Sequence, residues 1–180
     1  MTSRALDIGA GAVDRLPGAV RVDRSRAVRP TVVAELDHSL PFRNDSFDTV
    51  GTYDVVEHVA DVVALTEEVH RVLRPGGTFQ VTTPHFSCAN AYTDPTHRRA
   101  LGLRSFDYFA DGHPVSYYTH ARFRKRRAAV FFRGRLFGRA CGLVARLFPD
   151  WCQHHLAWIL PAWFLYFELE AVKSPPGGAP

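Results

Sequence analysis

Short apolar runs alternate with polar punctuation along the first half of the chain. RALDIGAG at 4–11 predicts a short strand that ends in glycines. Residues 19–23 predict a second strand, 31–37 a third and 47–53 a fourth. The second and third each end in an acid. Val62, Leu65, Val69 and Val72 recur at helical spacing and predict a helix from about 59 to 73. Glu67 and Arg71 sit one turn apart on it and are expected to pair. RPGG at 74–77 stops the helix, and 78–83 predict a fifth strand. Residues 163–172 predict the last strand, with Glu168 and Glu170 on one face.

Strands alternating with helices predict an α/β fold around a mainly parallel sheet. In such sheets ligands sit beyond the carboxyl ends of the strands, where the acids and glycines of this chain fall. The spacing adds a constraint. Ten residues separate Ile8 from Ala19, and seven separate Asp23 from Thr31. A parallel crossover normally needs about a dozen. The first two crossovers are therefore shortened, with turns or loops in place of helices.

Gly9 and Gly11 let backbone approach a ligand with no Cβ in the way. Asp7 can hold that loop or accept from a cationic ligand group. Asp23 stands where an acid binds ribose hydroxyls. Asp37 can accept from an adenine amine, and Leu36 can pack on a base. A dinucleotide fits less well. The third glycine of GxGxxG is replaced by Asp14, and the helix that would receive a pyrophosphate is missing. No GK[ST] occurs. A nucleoside without phosphates suits the site better, and an NAD oxidoreductase is disfavoured.

These residues resemble the class I S-adenosylmethionine-dependent methyltransferases, in the group called type 11. The resemblance rests on LDIGAG at 6–11, VRVDRS around Asp23 and LPFRNDSFDTV at 40–50. It continues in DVVEHVAD at 54–61 and EEVHRVLRPGG at 67–77. It covers about residues 4–85, and TPHFSCANAYTDPTHRR at 83–99 reads as a subgroup signature. Ala10 departs from the family's usual cysteine, and the two short crossovers depart from its usual layout. The resemblance implies a Rossmann-like seven-stranded sheet of order 3-2-1-4-5-7-6, the last strand antiparallel. It implies S-adenosylmethionine as cofactor, with Asp7, Gly9 and Gly11 flanking the methionine part. It places Asp23 on the ribose, Leu36 and Asp37 near the adenine, and Tyr53 along the methyl-transfer cleft.

Methyl transfer from a sulfonium is a direct displacement, so the protein needs no nucleophile of its own. It holds the acceptor in line and in some cases removes a proton. His58, His85 and His97 are the candidate catalytic residues, because they follow strands four and five. The bland readings stand beside these: His58 as a packing or capping residue, His85 and His97 in a loop held by Asp–His hydrogen bonds. His85, Asp94 and His97 are competent metal ligands, but their spacing fits no stereotyped zinc pattern, so no metal is expected. His70, inside the helix, and His154 and His155 read as structural.

At 46% apolar and 22% charged, 180 residues can build one core. The expected division is one methyltransferase-like domain at 1–172, a substrate-covering or lid insertion at 87–118 and a disordered Pro/Gly tail at 173–180. The aromatics of the insertion suit either an apolar acceptor pocket or a lid core. Cys88, Cys141 and Cys152 form no CxxC, which suits a reducing cytoplasm. No leader-like run is seen, and 151–172 is too polar to span a membrane. The net charge of +4 is uneven: residues 1–111 hold 12 Lys+Arg and 15 Asp+Glu, residues 112–180 hold 10 and 3. The basic 122–139 segment reads as plain surface or cleft lining, or as contact to an anionic membrane or lipid-linked substrate. Nucleic acid is disfavoured as a partner. The expected activity is S-adenosylmethionine-dependent methyl transfer to an O, N or C atom of a small-molecule acceptor. Its rivals are an inactive domain of the same fold and a membrane-surface or partner-binding module. The sequence leaves the oligomeric state open.

Overall fold

The apolar alternation folds into seven strands of one sheet. The structure is a computed structural model and describes residues 4–173, apart from the Arg135 side chain. The strands are β1 (Ala5–Ile8), β2 (Val20–Asp23), β3 (Val32–Val33), β4 (Phe47–Tyr53), β5 (Leu73–Pro84), β6 (Phe123–Phe131) and β7 (Phe164–Ala171). Their order is β3-β2-β1-β4-β5-β7-β6. The first five are parallel, and β7 runs antiparallel between β5 and β6. This is the Rossmann-like order expected above.

Period-two alternation gives the sheet one apolar face. Leu6, Ile8, Val22, Val50, Phe79, Val81, Leu165 and Phe167 are completely buried on it. Helix α1 (Val62–Val72) covers part of that face with Leu65, Val69 and Val72. It begins three residues later than the hydrophobic spacing suggests. Asp61 is the reason: its Oδ1 accepts from the amides of Val63 and Ala64 at 2.8 and 3.0 Å, which fixes it as the N-cap.

The short crossovers have a visible consequence. Residues 9–19 turn without a helix, and Arg26–Val28 form only one 3-10 turn. Parallel sheets are normally covered on both faces. Here the face opposite α1 carries Arg21, Tyr53, Gln80, Tyr166 and Glu168 and is only partly buried. Some of its polar groups pair laterally: the Tyr53 hydroxyl donates to Gln80 Oε1 at 2.9 Å, and that of Tyr166 to Glu168 at 3.1 Å.

Three local expectations are corrected. Arg71 pairs with Glu68 at 2.8 Å and not with Glu67, because it also donates to the Leu40 and Phe42 carbonyls and faces that loop. Strand β3 is two residues long, so Asp37 lies in the loop after it. Strand β5 begins at Leu73, not Thr78, because the chain pairs with Phe47 directly after α1.

The 87–118 segment holds α2 (Asn90–Thr93) and 3-10 turns at Ser105–Phe109 and Ser116–Tyr118. Its aromatics divide. Phe106 and Phe109 are buried and join the sheet core, with Phe106 4.8 Å from Phe167 between ring centroids. Tyr92, Tyr117 and Tyr118 are exposed. The first part of the basic segment becomes edge strand β6, and three of its charges are engaged within the chain. Arg124 and Arg126 pair with Glu170, and Lys125 pairs with Asp107. Beyond it, α3 (Arg135–Leu147) leads into a short helical turn at Pro149–Trp151 and a π-helical turn at Cys152–Leu156. From Ser174 onward, the expected tail lies outside the described residues.

Candidate functional site

The glycine turn after β1 sits at the carboxyl end of the sheet. Gly9 has φ +68°, and a Cβ there would lie 2.5 Å from Val55 Cγ2. The Gly9 and Ala10 amides both donate to the Val22 carbonyl, at 2.8 and 3.1 Å. Arg21 donates to the Gly11 carbonyl at 2.5 Å from the other side. Asp23, at the end of β2, completes the clamp. Its Oδ2 accepts from the Gly11 amide at 3.0 Å and its Oδ1 from the Ser25 amide at 2.8 Å. The backbone is thus held open in one shape before any ligand arrives.

A cleft of about 240 Å³ opens beside this turn, lined by Gly9, Asp23, Leu36, Asp37, Val55 and His58 among others. One oxygen of Asp37 accepts from the Ala60 amide at 2.7 Å. Asp54, with φ +60°, is fixed on the same rim by Arg15 at 2.7 Å and by the Thr82 hydroxyl at 3.3 Å.

Asp7 and Tyr53 lie side by side on the sheet face opposite α1, outside the lining of this cleft. Asp7 is 1% exposed, and its Oδ2 has no hydrogen-bond partner. Burial pushes its carboxyl up to about 6, although the Arg21 charge pulls the other way. The Tyr53 ring covers Gly51, and burial together with the Asp7 charge raises its phenol.

The histidines divide. His58 and His97 stand together, their ring centroids 4.5 Å apart. Burial lowers His58, and the neighbouring His97 adds to this. Glu57, directly before His58, is 2% exposed. Its Oε2 accepts from the Thr83 hydroxyl at 3.1 Å, and burial pushes the carboxyl up to about 7. His85 sits elsewhere. Its Nδ1 accepts from the Ser87 amide at 3.2 Å and the Ser87 hydroxyl at 2.8 Å. The proton of the neutral ring is therefore on Nε2. Burial pushes His85 down to about 4. It lines an apolar cavity of about 250 Å³ together with Val130, Phe137, Val144, Leu156 and Leu160.

The structure thus gathers Gly9, Asp23, Leu36, Asp37 and His58 at one cleft, with Gly11 bonded to it and His97 beside His58. Asp7, Tyr53 and His85 lie apart. Sequence reasoning gave no role to Glu57, Asp54 or Thr96. Glu57 was visible in DVVEHVAD, but its partner Thr83 lies 26 residues away in sequence.

Comparison with known proteins bears on this geometry. Residues 5–81 match the family model of a methyltransferase domain. A segment of 46 residues is 46% identical to a probable S-adenosylmethionine-dependent methyltransferase of Mycolicibacterium smegmatis. That segment is 26% of this chain and 18% of the relative, so the match spans less than a fifth of the relative's length. An S-adenosylmethionine-dependent methyltransferase from Archaeoglobus fulgidus superposes with a TM-score of 0.68 at 15% identity, over 93% of this chain and 86% of its own. The YcgJ protein of Bacillus subtilis does so with 0.63 at 18% identity, over 96% and 93%. At these identities the solved structures speak for the fold.

Proposed function

We propose that this chain, whose residues 5–81 match the family model of a methyltransferase domain, binds S-adenosylmethionine and methylates a small-molecule acceptor at oxygen, nitrogen or carbon. The observation that carries the reading is the clamped glycine turn beside Asp23. The residues fit the group. Gly9 leaves backbone exposed where no side chain can stand. Asp23 would accept from the ribose hydroxyls, and Leu36 and Asp37 would meet the adenine. Asp7 is off the cleft lining, two residues before Gly9, and its buried, unpartnered oxygen would meet the cationic methionine part only where the cofactor extends past the glycine turn. When bound, the cofactor supplies an electrophilic sulfonium methyl.

The chain's own residues would then place the acceptor. His58 lines the cofactor cleft. Together with His97 it is the pair that engages the acceptor's reacting end. Thr83 bonds Glu57, and two residues further along the same strand direction His85 lines the apolar cavity. That cavity takes the apolar body of the acceptor, with the His85 Nε2–H as its polar contact; α3 and the turn after it form most of its wall, and Leu103 is what the 87–118 segment adds. The test is methyl-labelled cofactor added to the protein with an extract of small molecules. Label is expected in the organic-extractable fraction. Label in protein or nucleic acid, or no turnover despite cofactor binding, overturns the small-molecule reading; the latter outcome favours an inactive domain.

A second reading concerns location. Helix α3 exposes Leu136, Leu143 and Leu147, and the following turn exposes Phe148 and Trp151. Arg139 and Arg146 flank them, also exposed. Such a face suits a cytoplasmic protein lying on an anionic bilayer, from which apolar acceptors reach the cavity beneath α3. Among the described residues no helix is long and apolar enough to cross a membrane. Co-sedimentation with phosphatidylglycerol vesicles is expected, weakened by salt and by Arg139→Gln with Arg146→Gln. Neutralising Arg124 to Arg127 is expected to matter less, since the charges of Arg124, Lys125 and Arg126 are paired within the chain. Equal binding to zwitterionic vesicles, or none to either, sinks this reading.

A further inference from the structure

We infer that Glu57, His58 and His97 form a binding site for a divalent transition-metal cation at the rim of the cleft. A carboxylate oxygen of Glu57 and one ring nitrogen of each histidine lie within 4.8 Å of one another. Two segments are held together to make this cluster, since the Arg98 amide donates to the Glu57 carbonyl at 2.8 Å.

Hydrogen bonding sets both imidazoles for ligation. The Thr96 hydroxyl has one proton and gives it to Asp94 Oδ1 at 2.7 Å. Its oxygen is then an acceptor for His58 Nδ1 at 2.8 Å, so Nδ1 carries the proton. His97 Nδ1 faces the Ala91 carbonyl at 3.2 Å and must also be the donor. Each neutral ring therefore presents an Nε2 lone pair. Metal-bound histidines are held in this way, with the second nitrogen donating to a hydroxyl, carbonyl or carboxylate.

The carboxylate supplies the independent observation. Glu57 is 2% exposed, and its Oε1 has no hydrogen-bond partner. A buried acceptor left unpaired is costly, and a cation satisfies it. Donor atoms around a zinc-like ion at about 2.0–2.2 Å stand roughly 3.0–3.5 Å apart, so binding draws the cluster inward by side-chain rotation.

Two imidazoles and one carboxylate favour Zn²⁺, Fe²⁺, Co²⁺ or Mn²⁺ over Ca²⁺ or Mg²⁺, which prefer oxygen ligands. Three protein ligands leave positions open. His58 and Thr96 line the cofactor cleft, so those positions lie at its rim. They suit an acceptor that binds through oxygen. This last point rests on the methyl-transfer reading. With the cation bound, neither imidazole is available as a proton acceptor.

The test is titration of chelator-treated protein with Co²⁺, followed by its visible ligand-field bands, and then displacement by Zn²⁺. One equivalent is expected to bind, with no competition from excess Mg²⁺. His97→Ala and Glu57→Gln are each expected to weaken binding by at least about 10-fold, and Thr96→Val, which frees His58 Nδ1, by about 10-fold. Melting temperature and circular dichroism of each variant serve as folding controls, and cofactor titration of the unaltered protein is run alongside. No stoichiometric Co²⁺ binding by the unaltered protein overturns the site, as does equal binding by a folded His97→Ala variant. Either outcome leaves methyl transfer standing. Intact Co²⁺ binding without cofactor binding would sink methyl transfer and spare the site.

Discussion

Asp23→Ala is expected to weaken S-adenosylmethionine binding about 100-fold, since each charge-assisted hydrogen bond contributes about 1.5–3 kcal/mol and 1.4 kcal/mol is a factor of ten. The loss has two sources. The carboxylate would bind the ribose directly. It also holds the Gly11 amide at 3.0 Å and the Ser25 amide at 2.8 Å, so truncation loosens the turn that leaves backbone open to the ligand. Asp23→Asn separates the two. It keeps an oxygen for one amide and loses the charge, so an intermediate affinity is expected. Calorimetric titration with the cofactor and with S-adenosylhomocysteine reads both. Both compounds should weaken together, because the ribose is common to them. Unchanged affinity in a folded Asp23→Ala protein would mean that the cofactor does not lie in this cleft, and would remove the main support for the proposed reaction.

Elements with a strong local pattern were legible in the sequence. The residues of β7 alternate imperfectly, yet they were enough to place the strand; its burial alternates strictly, with Glu168 and Glu170 on one face. The strand order followed from resemblance, since no spacing along a chain states which strands become neighbours. The third strand was overread. Residues 31–37 look like a strand, but the ladder to β2 holds only two pairs because the chain from Asp23 returns through a single 3-10 turn. The cleft residues Gly9, Asp23, Leu36 and Asp37 were readable because they fall at or just after the ends of the first three strands, Leu36 and Asp37 in the loop beyond β3. The histidines were not separable, because their surroundings come from distant segments. His58 meets Thr96 across 38 residues, and His85 faces a cavity formed largely by the α3 layer. Glu57 shows the limit: its burial depends on β5 and on the 87–118 loop, neither of which a local pattern contains.

Asp7 sets stability against binding, and Asp7→Asn is expected to show both sides. The carboxyl titrates at about 6 in the folded protein against an ordinary 3.8, chiefly through burial. Below pH 3.8 it is protonated folded or unfolded, and no penalty arises. Between 3.8 and 6 the folded state keeps a proton that the unfolded state has lost, so stability falls as pH rises. Above 6 the full penalty remains, on the order of 3 kcal/mol at 1.36 kcal/mol per pKa unit. Asn keeps the shape and cannot ionise. The cofactor-free variant should match the original protein near pH 4 and melt roughly 6–10 °C higher at pH 7. Its cofactor affinity should be at least about tenfold lower at pH 7, because a buried anion with an unpartnered oxygen is what a cationic ligand would neutralise. In the original protein, affinity should rise between pH 5 and 7 as Asp7 ionises. Thermal melts and cofactor titrations across that range check each part. A variant that melts higher yet binds equally well would leave Asp7 as a strained strand residue with no contact to the cofactor. A variant with unchanged melting would mean that the carboxylate is satisfied in the folded protein without any ligand.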